Sequence, residues 1–384
     1  MMRFRGGNHI QLLRSGAEYF PALEYAILHA QFDIYIQTYI YEADAIGVRI
    51  GNALISAVKR GVNARVLIDG FGSKTLSASY IDTLRAAGVD VMFYRPKISP
   101  WTFKKNRLRR LHQKVTIIDS QIAFVGGINI IDDANTPNQV PPRIDYAVRI
   151  EGPLLPVIAS SVHKLWQRLA WMHFRVKHAY AHRPSSHRSH VAGNISAAYV
   201  IRDNILHRRD IETAYLTAIQ HAKSEVIIAN AYFVPGIRFR RALISAAKRG
   251  VKVKLLLQGR KEYFLMFAVH AFYGLFLKSG IEIYEYRKSF MHSKVAVIDS
   301  EWSTVGSSNI DPFSLFLARE ANIIIRDQAF STLLRADIIK SIEEGAMSIT
   351  SQHWQNASIG IRFISWVAYG IVRFFLGIIG NPKA

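Results

Sequence analysis

The sequence predicts an α/β chain built from two copies of one unit, each a largely buried sheet with helices on its faces. Three observations predict it. One string occurs twice, as "LHQKVTIIDSQIAFVGGIN" at residues 111–129 and as "MHSKVAVIDSEWSTVGSSN" at residues 291–309. The likeness also extends upstream: "LISAVKRGVNARVLIDG" from Leu54 returns as "LISAAKRGVKVKLLLQG" from Leu243, and "LRAAGVDVMFYR" from Leu84 returns as "LKSGIEIYEYR" from Leu277. Finally, strand-like and helix-like segments alternate in both copies, the pattern of helices covering a sheet. At 384 residues the chain exceeds one typical core, so two domains are the default.

Each copy reads strand, helix, strand, helix, strand, then the repeated string and one strand more. The strand segments "HAQFDIYIQTYIY" (from His29) and "HAKSEVIIANAYF" (from His221) are rich in Ile, Val and Tyr. Next comes "RIGNALISAVKRG", with apolar residues at three- and four-residue spacing and a closing Gly, as a C-capped amphipathic helix requires. "DYAVRI" from Asp145 and "EANIIIR" from Glu320 are the last strands. The expected division is a first domain at 1–174, a linker at 175–196, a second domain at 197–350 and an apolar tail at 351–384. The linker is basic and rich in Ser and His, and its histidines match no clean metal-ligand spacing. No metal and no cofactor are expected.

Half of the residues are apolar and 20% are charged, which excludes a disordered chain. The absence of cysteine excludes a disulfide framework and thiolate chemistry. Forty-nine Lys and Arg against 28 Asp and Glu give a net charge of +21, a field that favours a polyanionic partner: nucleic acid, an anionic membrane or a phosphate-bearing substrate. The first residues carry charge without a following apolar run, so no secretory signal is read there.

The repeated string carries the chemistry. Read as a strand, it puts His112 and Lys114 on one face, and likewise His292 and Lys294. Asp119 and Asp299 fall at an odd spacing from their histidines and are read as structural partners that bond a neighbouring loop. Asn129, Asn309 and Ser307, with nearby backbone N–H groups, suit donation to phosphate oxygens. Gly127 stands where the other copy has Ser307, so the copies are unequal. Asp145 and Glu320, on the next strand of each half, are candidates to accept an imidazole Nδ1–H and leave Nε2 free. Displacement at a phosphodiester needs a nucleophile on one side of phosphorus and a proton donor on the other. Two half-sites facing each other across a pseudo-twofold axis supply both.

The spacing His-x-Lys-x4-Asp-x6-Gly-(Gly/Ser)-x-Asn, present twice, resembles the phospholipase D superfamily over nearly all the chain before residue 345. More narrowly, "RIDYAVRIEGP", "LFLKSGIEIYEYR" and "IQLLRSGAEYFPAL" resemble the bacterial cardiolipin synthase B family. The resemblance implies two tandem domains, each with a mixed sheet, packed around one active site. It places His112, Lys114, Asp119, His292, Lys294 and Asp299 in the catalytic motifs, with Asn129, Asn309, Asp145 and Glu320 at supporting positions. It implies a covalent phosphohistidine intermediate, release of glycerol from one phosphatidylglycerol and attack by a second to give cardiolipin. The sequence leaves open which histidine attacks; the family leans to His112. A hydrolase or nuclease of the same superfamily, with water as acceptor, is the alternative.

Three segments favour lipid over nucleic acid. "PKISPWTFKKNRLRR" (96–110) has basic and aromatic residues and no acid, as a clamp for anionic headgroups requires. "EYFLMFAVHAFYGLFL" (262–277) is apolar where its counterpart is polar, and is read as an acyl-chain or membrane-facing helix, with an ordinary core helix as the alternative and His270 as a packed or interfacial residue. "SIGIRFISWVAYGIVRFFLGIIG" (358–380) is long enough to span a bilayer, but Arg373 in its interior costs about 2.5–3.5 kcal/mol on insertion. Arg362 and Arg373 share a helical face, which favours a helix lying in the interface with Trp354 and Trp366 as anchors. The expected location is the cytoplasmic side of a bacterial inner membrane. The expected partners are phosphatidylglycerol and the membrane surface, not nucleic acid; oligomeric state is left open.

Overall fold

A computed structural model describes residues 2–95, 109–172, 190–203, 206–260, 269–311, 318–355, 367 and 370. The basic segment at 96–108, most of the linker, the first part of the apolar segment at 262–277 and nearly all of the tail lie outside the described residues.

The first half runs β1 (Arg5–Arg14), α1 (Ser15–Leu28), β2 (Asp33–Thr38), α2 (Ala45–Lys59), β3 (Asn63–Asp69), α3 (Ala78–Ala86) and β4 (Asp90–Tyr94). It continues with β5 (Arg110–Leu111), β6 (Lys114–Ile118), β7 (Ile122–Gly126), β8 (Arg143–Ile144), β9 (Tyr146–Glu151) and α4 (Leu155–Met172). The second half repeats the plan: β10 (Ile195–Arg202), α5 (Asp210–His221), β11 (Glu225–Asn230), α6 (Ile237–Lys248), β12 (Lys252–Gln258), α7 (Tyr273–Lys278) and β13 (Glu282–Tyr286). Then follow β14 (Phe290–Met291), β15 (Lys294–Ile298), β16 (Trp302–Gly306), β17 (Ala318–Arg326), α8 (Gln328–Gly345), β18 (Ala346–Ile349) and α9 (Ser351–Gln355).

Local chemistry sets these boundaries. Asp44 caps α2 by accepting from Gly47 N–H, and Asp327 caps α8 by accepting from Phe330 N–H. Strands β2, β6 and β15 are buried at every position, as strands covered on both faces must be.

Hydrogen bonding links the strands in the order β18-β13-β12-β11-β15-β16-β17-β10-β1-β9-β7-β6-β2-β3-β4. Apart from β18, this order is a palindrome about the β10–β1 seam, with β13 matching β4, β11 matching β2 and β15 matching β6. The fold therefore carries the predicted pseudo-twofold relation. Within each half the sheet is mixed: β2 is parallel to β3 but antiparallel to β6, and β11 repeats this with β12 and β15. At the seam β1 and β10 pair antiparallel around an irregularity between Arg5 and Asn8. There the sheet folds back, so that β16 and β17 pack against β7 and β9.

Three cores result. Two lie within single halves, and the third is shared: Ile158, Val162 and Trp166 of α4 pack with Ile323 and Ile325 of β17 and with Leu334 and Ile338 of α8. Because this central core draws on both halves, neither half buries its full apolar surface alone. The described end of the apolar segment belongs to the second-half core: Val269, Phe272, Tyr273 and Phe276 are buried there. For these residues the lipid-facing expectation is corrected; their composition serves ordinary packing. Among the described residues no helix is long and apolar enough to cross a membrane.

Candidate active site

Each repeated string begins with a break in its strand. Sequence alternation predicts one continuous strand through His112 and Lys114, but β5 ends at Leu111 and β6 starts at Lys114. The cause is in the other half. β5 lies parallel to β17, and His112 N–H donates to Arg319 O at 3.0 Å. The second copy does the same: β14 lies parallel to β8, and His292 N–H donates to Ile144 O at 2.8 Å.

The side chains cross over in the same way. His112 Nδ1 is 2.9 Å from Glu320 Oε1 and 3.1 Å from Oε2. His292 Nδ1 is 2.7 Å from Asp145 Oδ2. Each imidazole is thus held by the carboxylate of the opposite half. An ionised carboxylate only accepts, so Nδ1 carries the proton and Nε2 has its lone pair exposed to reaction. The fold-back at the seam is what carries β17 and the start of β9 to the opposite histidines.

Lys114 and Lys294 open β6 and β15 and are 3% and 0% exposed. Their Nζ atoms donate to His112 O (2.6 Å) and to His292 O, and Lys294 Nζ lies 3.8 Å from Asp145 Oδ2. Burial pushes the Lys114 ammonium down to about 7, Glu320 opposing and the Lys294 charge adding to the fall. Burial pushes Lys294 to about 8 against the carboxylates of Asp145 and Glu320. Burial likewise lowers His112, and lowers His292 to about 3 with help from the Lys294 charge. Burial alone would raise Asp145, but Lys294 and His292 hold its carboxyl below the usual range. These shifts leave both imidazoles neutral, and Glu320 and Asp145 are the anions that oppose the fall of the two ammonium groups. A further anion between the lysines would favour the charged forms.

The supporting residues divide. Ser307 does not wait for a phosphate oxygen, as its hydroxyl donates to Glu320 Oε2 at 2.5 Å and accepts from Ala321 N–H at 3.1 Å. In the first copy a side chain at Gly127 is excluded, because an added Cβ would come within 2.3 Å of Asp145 Oδ1. The inequality between copies is therefore steric: a shorter carboxylate beside Gly, a longer one braced by Ser. Asn129 Oδ1 accepts from Ile40 N–H at 3.0 Å, tying the end of the motif to the segment after β2; Asn309 is buried at the matching place.

Asp119 and Asp299 stand apart from the histidines, at the far ends of β6 and β15, about 16 Å along the strand from the lysines. Asp119 accepts from the N–H groups of Gln31, Phe32 and Asp33, and Asp299 from those of Lys223, Ser224 and Glu225. These bonds tie the entries of β2 and β11 to the far ends of the two motif strands.

Sequence reading missed several neighbours. The Tyr39 ring meets His112 edge-on at 4.7 Å, and Lys114 Nζ lies 5.3 Å from the Tyr39 ring centre. Tyr232 and Phe290 flank His292 at 6.4 and 5.7 Å. The aromatic residues ending "QTYIY" and "ANAYF" were the available signal. Arg202, 1% exposed, donates to Ala318 O and feels the Glu320 charge; a lone Arg in a strand gives no signal. Among the described residues no group of three His, Asp or Glu side chains is placed to hold a metal ion.

Set beside known proteins, residues 23–140 and 215–342 match the family model described as cardiolipin synthase, PLD-like domain. Cardiolipin synthase B of Escherichia coli is 38% identical over 98% of this chain and 91% of its own length. Cardiolipin synthase 1 of Staphylococcus epidermidis is 30% identical over 93% and 72%. Among solved structures, phosphatidylserine synthase of Haemophilus influenzae superposes with a TM-score of 0.66 over 96% of this chain and 93% of that one, at 13% identity, a likeness of fold.

Proposed function

The chain belongs to the cardiolipin synthase family of phospholipase D-like enzymes and is a phosphatidyltransferase of that type, and from this premise we propose that it joins two phosphatidylglycerol molecules through a phosphohistidine. One histidine Nε2 attacks the phosphorus of a bound phosphatidylglycerol. The P–O bond to the terminal glycerol breaks, and the opposite imidazole, charged once the phosphate is bound, gives its Nε2 proton to the leaving oxygen. Free glycerol departs. The now neutral imidazole takes the proton of a hydroxyl on a second phosphatidylglycerol as that oxygen attacks phosphorus. The P–N bond breaks, and cardiolipin leaves an unchanged enzyme.

The observation that carries this reading is the crossed pair, His112 with Glu320 and His292 with Asp145, set around two buried lysines. Both carboxylates fix the tautomer that leaves Nε2 reactive, and both lysines meet the phosphate charge as it develops. The net charge of +21 suits an anionic membrane surface on the cytoplasmic side, with the tail at 351–384 as its anchor. The division at 174 and 197 places one motif in each domain.

The test is product analysis with phosphatidylglycerol vesicles labelled in the terminal glycerol. Cardiolipin with an equal amount of labelled glycerol supports the reading. Phosphatidic acid with glycerol means that water is the acceptor, and cleavage of single-stranded DNA without lipid turnover means a nuclease.

A further inference from the structure

Arg319 and Glu320 are neighbours on β17, and alternation sends their side chains to opposite faces. Glu320 meets His112; Arg319 lines a cleft of about 610 Å³. One wall is α4 from the first half and the other is Ile201 at the end of β10 with Asp203, Leu206 and His207 from the second, so the cleft straddles the seam.

Its lining is cationic. Arg5, Lys164, Arg168, His207 and Arg319 face it against one acid, Asp203, whose Oδ1 already accepts from the N–H groups of Leu206 and His207. His207 is bonded to Asp210 at 2.7 Å. Among the described residues no carboxylate pairs with Lys164, Arg168 or Arg319, and the Arg319 Nε atom is buried without a hydrogen-bond acceptor. Ser160 and Ser161 add hydroxyls on the α4 wall, while Val157, Leu165 and Ile201 make the floor apolar. Leu206, 81% exposed, stands at the rim.

Convergent guanidinium, ammonium and hydroxyl donors over an apolar floor suit a phosphate group carrying a short apolar part. We infer that this cleft is a second anion site, separate from the catalytic cluster, that binds phosphate as a free ion or as a lipid headgroup. Its link to the chemistry is short: the Arg319 carbonyl oxygen accepts from His112 N–H. An anion on the guanidinium therefore bears on the residue that positions the histidine. The cleft holds its anion independently of phosphatidyl transfer.

The test compares the full chain with the Lys164→Gln/Arg168→Gln variant. Both side chains are exposed on α4, so the variant is expected to fold, and an unchanged Tm is the check on that. Titration with inorganic phosphate is expected to give two sites in the native protein and one in the variant. At roughly fivefold per cation removed, the second site weakens about twenty-five-fold. Superimposable isotherms, or a single native site that the variant retains, overturn the inference. Flotation with phosphatidylglycerol vesicles against phosphatidylcholine vesicles then separates the sources. Because the tail can float the protein on either vesicle, the readout is the excess on phosphatidylglycerol over phosphatidylcholine: an excess lost together with phosphate binding identifies a lipid headgroup, and an excess kept while phosphate binding is lost identifies soluble phosphate. The labelled-glycerol assay reports separately on the catalytic reading.

Discussion

At the scale of the residue, each carboxylate fixes one imidazole. Replacing Asp145 by Asn, or Glu320 by Gln, keeps the volume but lets the partner present an N–H to Nδ1, which favours the tautomer with the proton on Nε2. Cardiolipin formation is expected to fall by roughly two to four orders of magnitude in either variant, read as kcat on vesicle substrate. Vesicle binding remains. The same histidines set a pH dependence. Burial depresses both, so in the folded protein they stay neutral at a pH where the unfolded chain, near 6.5, takes up protons. The unfolded state binds more protons below that value, and stability therefore falls as pH drops through it, by about 1.4 kcal/mol per pH unit for each histidine that remains neutral. Denaturant melts between pH 7 and pH 5 measure the slope, which is expected to shrink in His292→Ala.

At the scale of the element, the motif strands were legible but their interruptions were not. Asp119 lies at the end of β6 away from Lys114, where it bonds the entry of β2. Its three acceptor bonds to the entry of β2 make Asp119→Ala a stability lesion. About 3 kcal/mol is expected from one buried and two part-buried N–H groups that lose a charged acceptor, with a smaller loss of turnover in the protein that folds. The break at His112 escaped sequence reading because the strand that captures its N–H comes from the other half, and no local pattern encodes that partner. The apolar segment near 270 misled for a different reason. Hydrophobicity states that a surface is buried, not what buries it, and here the second-half core does. The short α9 carries a related lesson: Trp354 packs 5.3 Å from the Tyr273 ring and 5.8 Å from His270. Removal of residues 356–384 is expected to weaken vesicle association with little change in Tm. Removal from residue 352 also takes Trp354 and costs about 2 kcal/mol more. Equal Tm values for the two truncations would contradict that packing role.

At the scale of the molecule, duplication predicted two half-sites and the palindromic sheet order places them about one seam. What the sequence did not carry is the exchange of carboxylates across that seam, which makes each half incomplete without the other. The repeated string carries the residues proposed to react. The fold-back of β16 and β17 over β7 and β9 fixes which of them meet. The most direct test follows the phosphorus. Phosphatidylglycerol labelled in its phosphatidyl group is mixed with enzyme, quenched in alkali and mapped by mass spectrometry, for the native protein and for His112→Ala and His292→Ala. The account predicts label on one histidine of the pair in the native protein, none on that position's Ala variant, and no cardiolipin from either variant. Label on neither histidine, or cardiolipin formed at native rate after loss of either one, would contradict it.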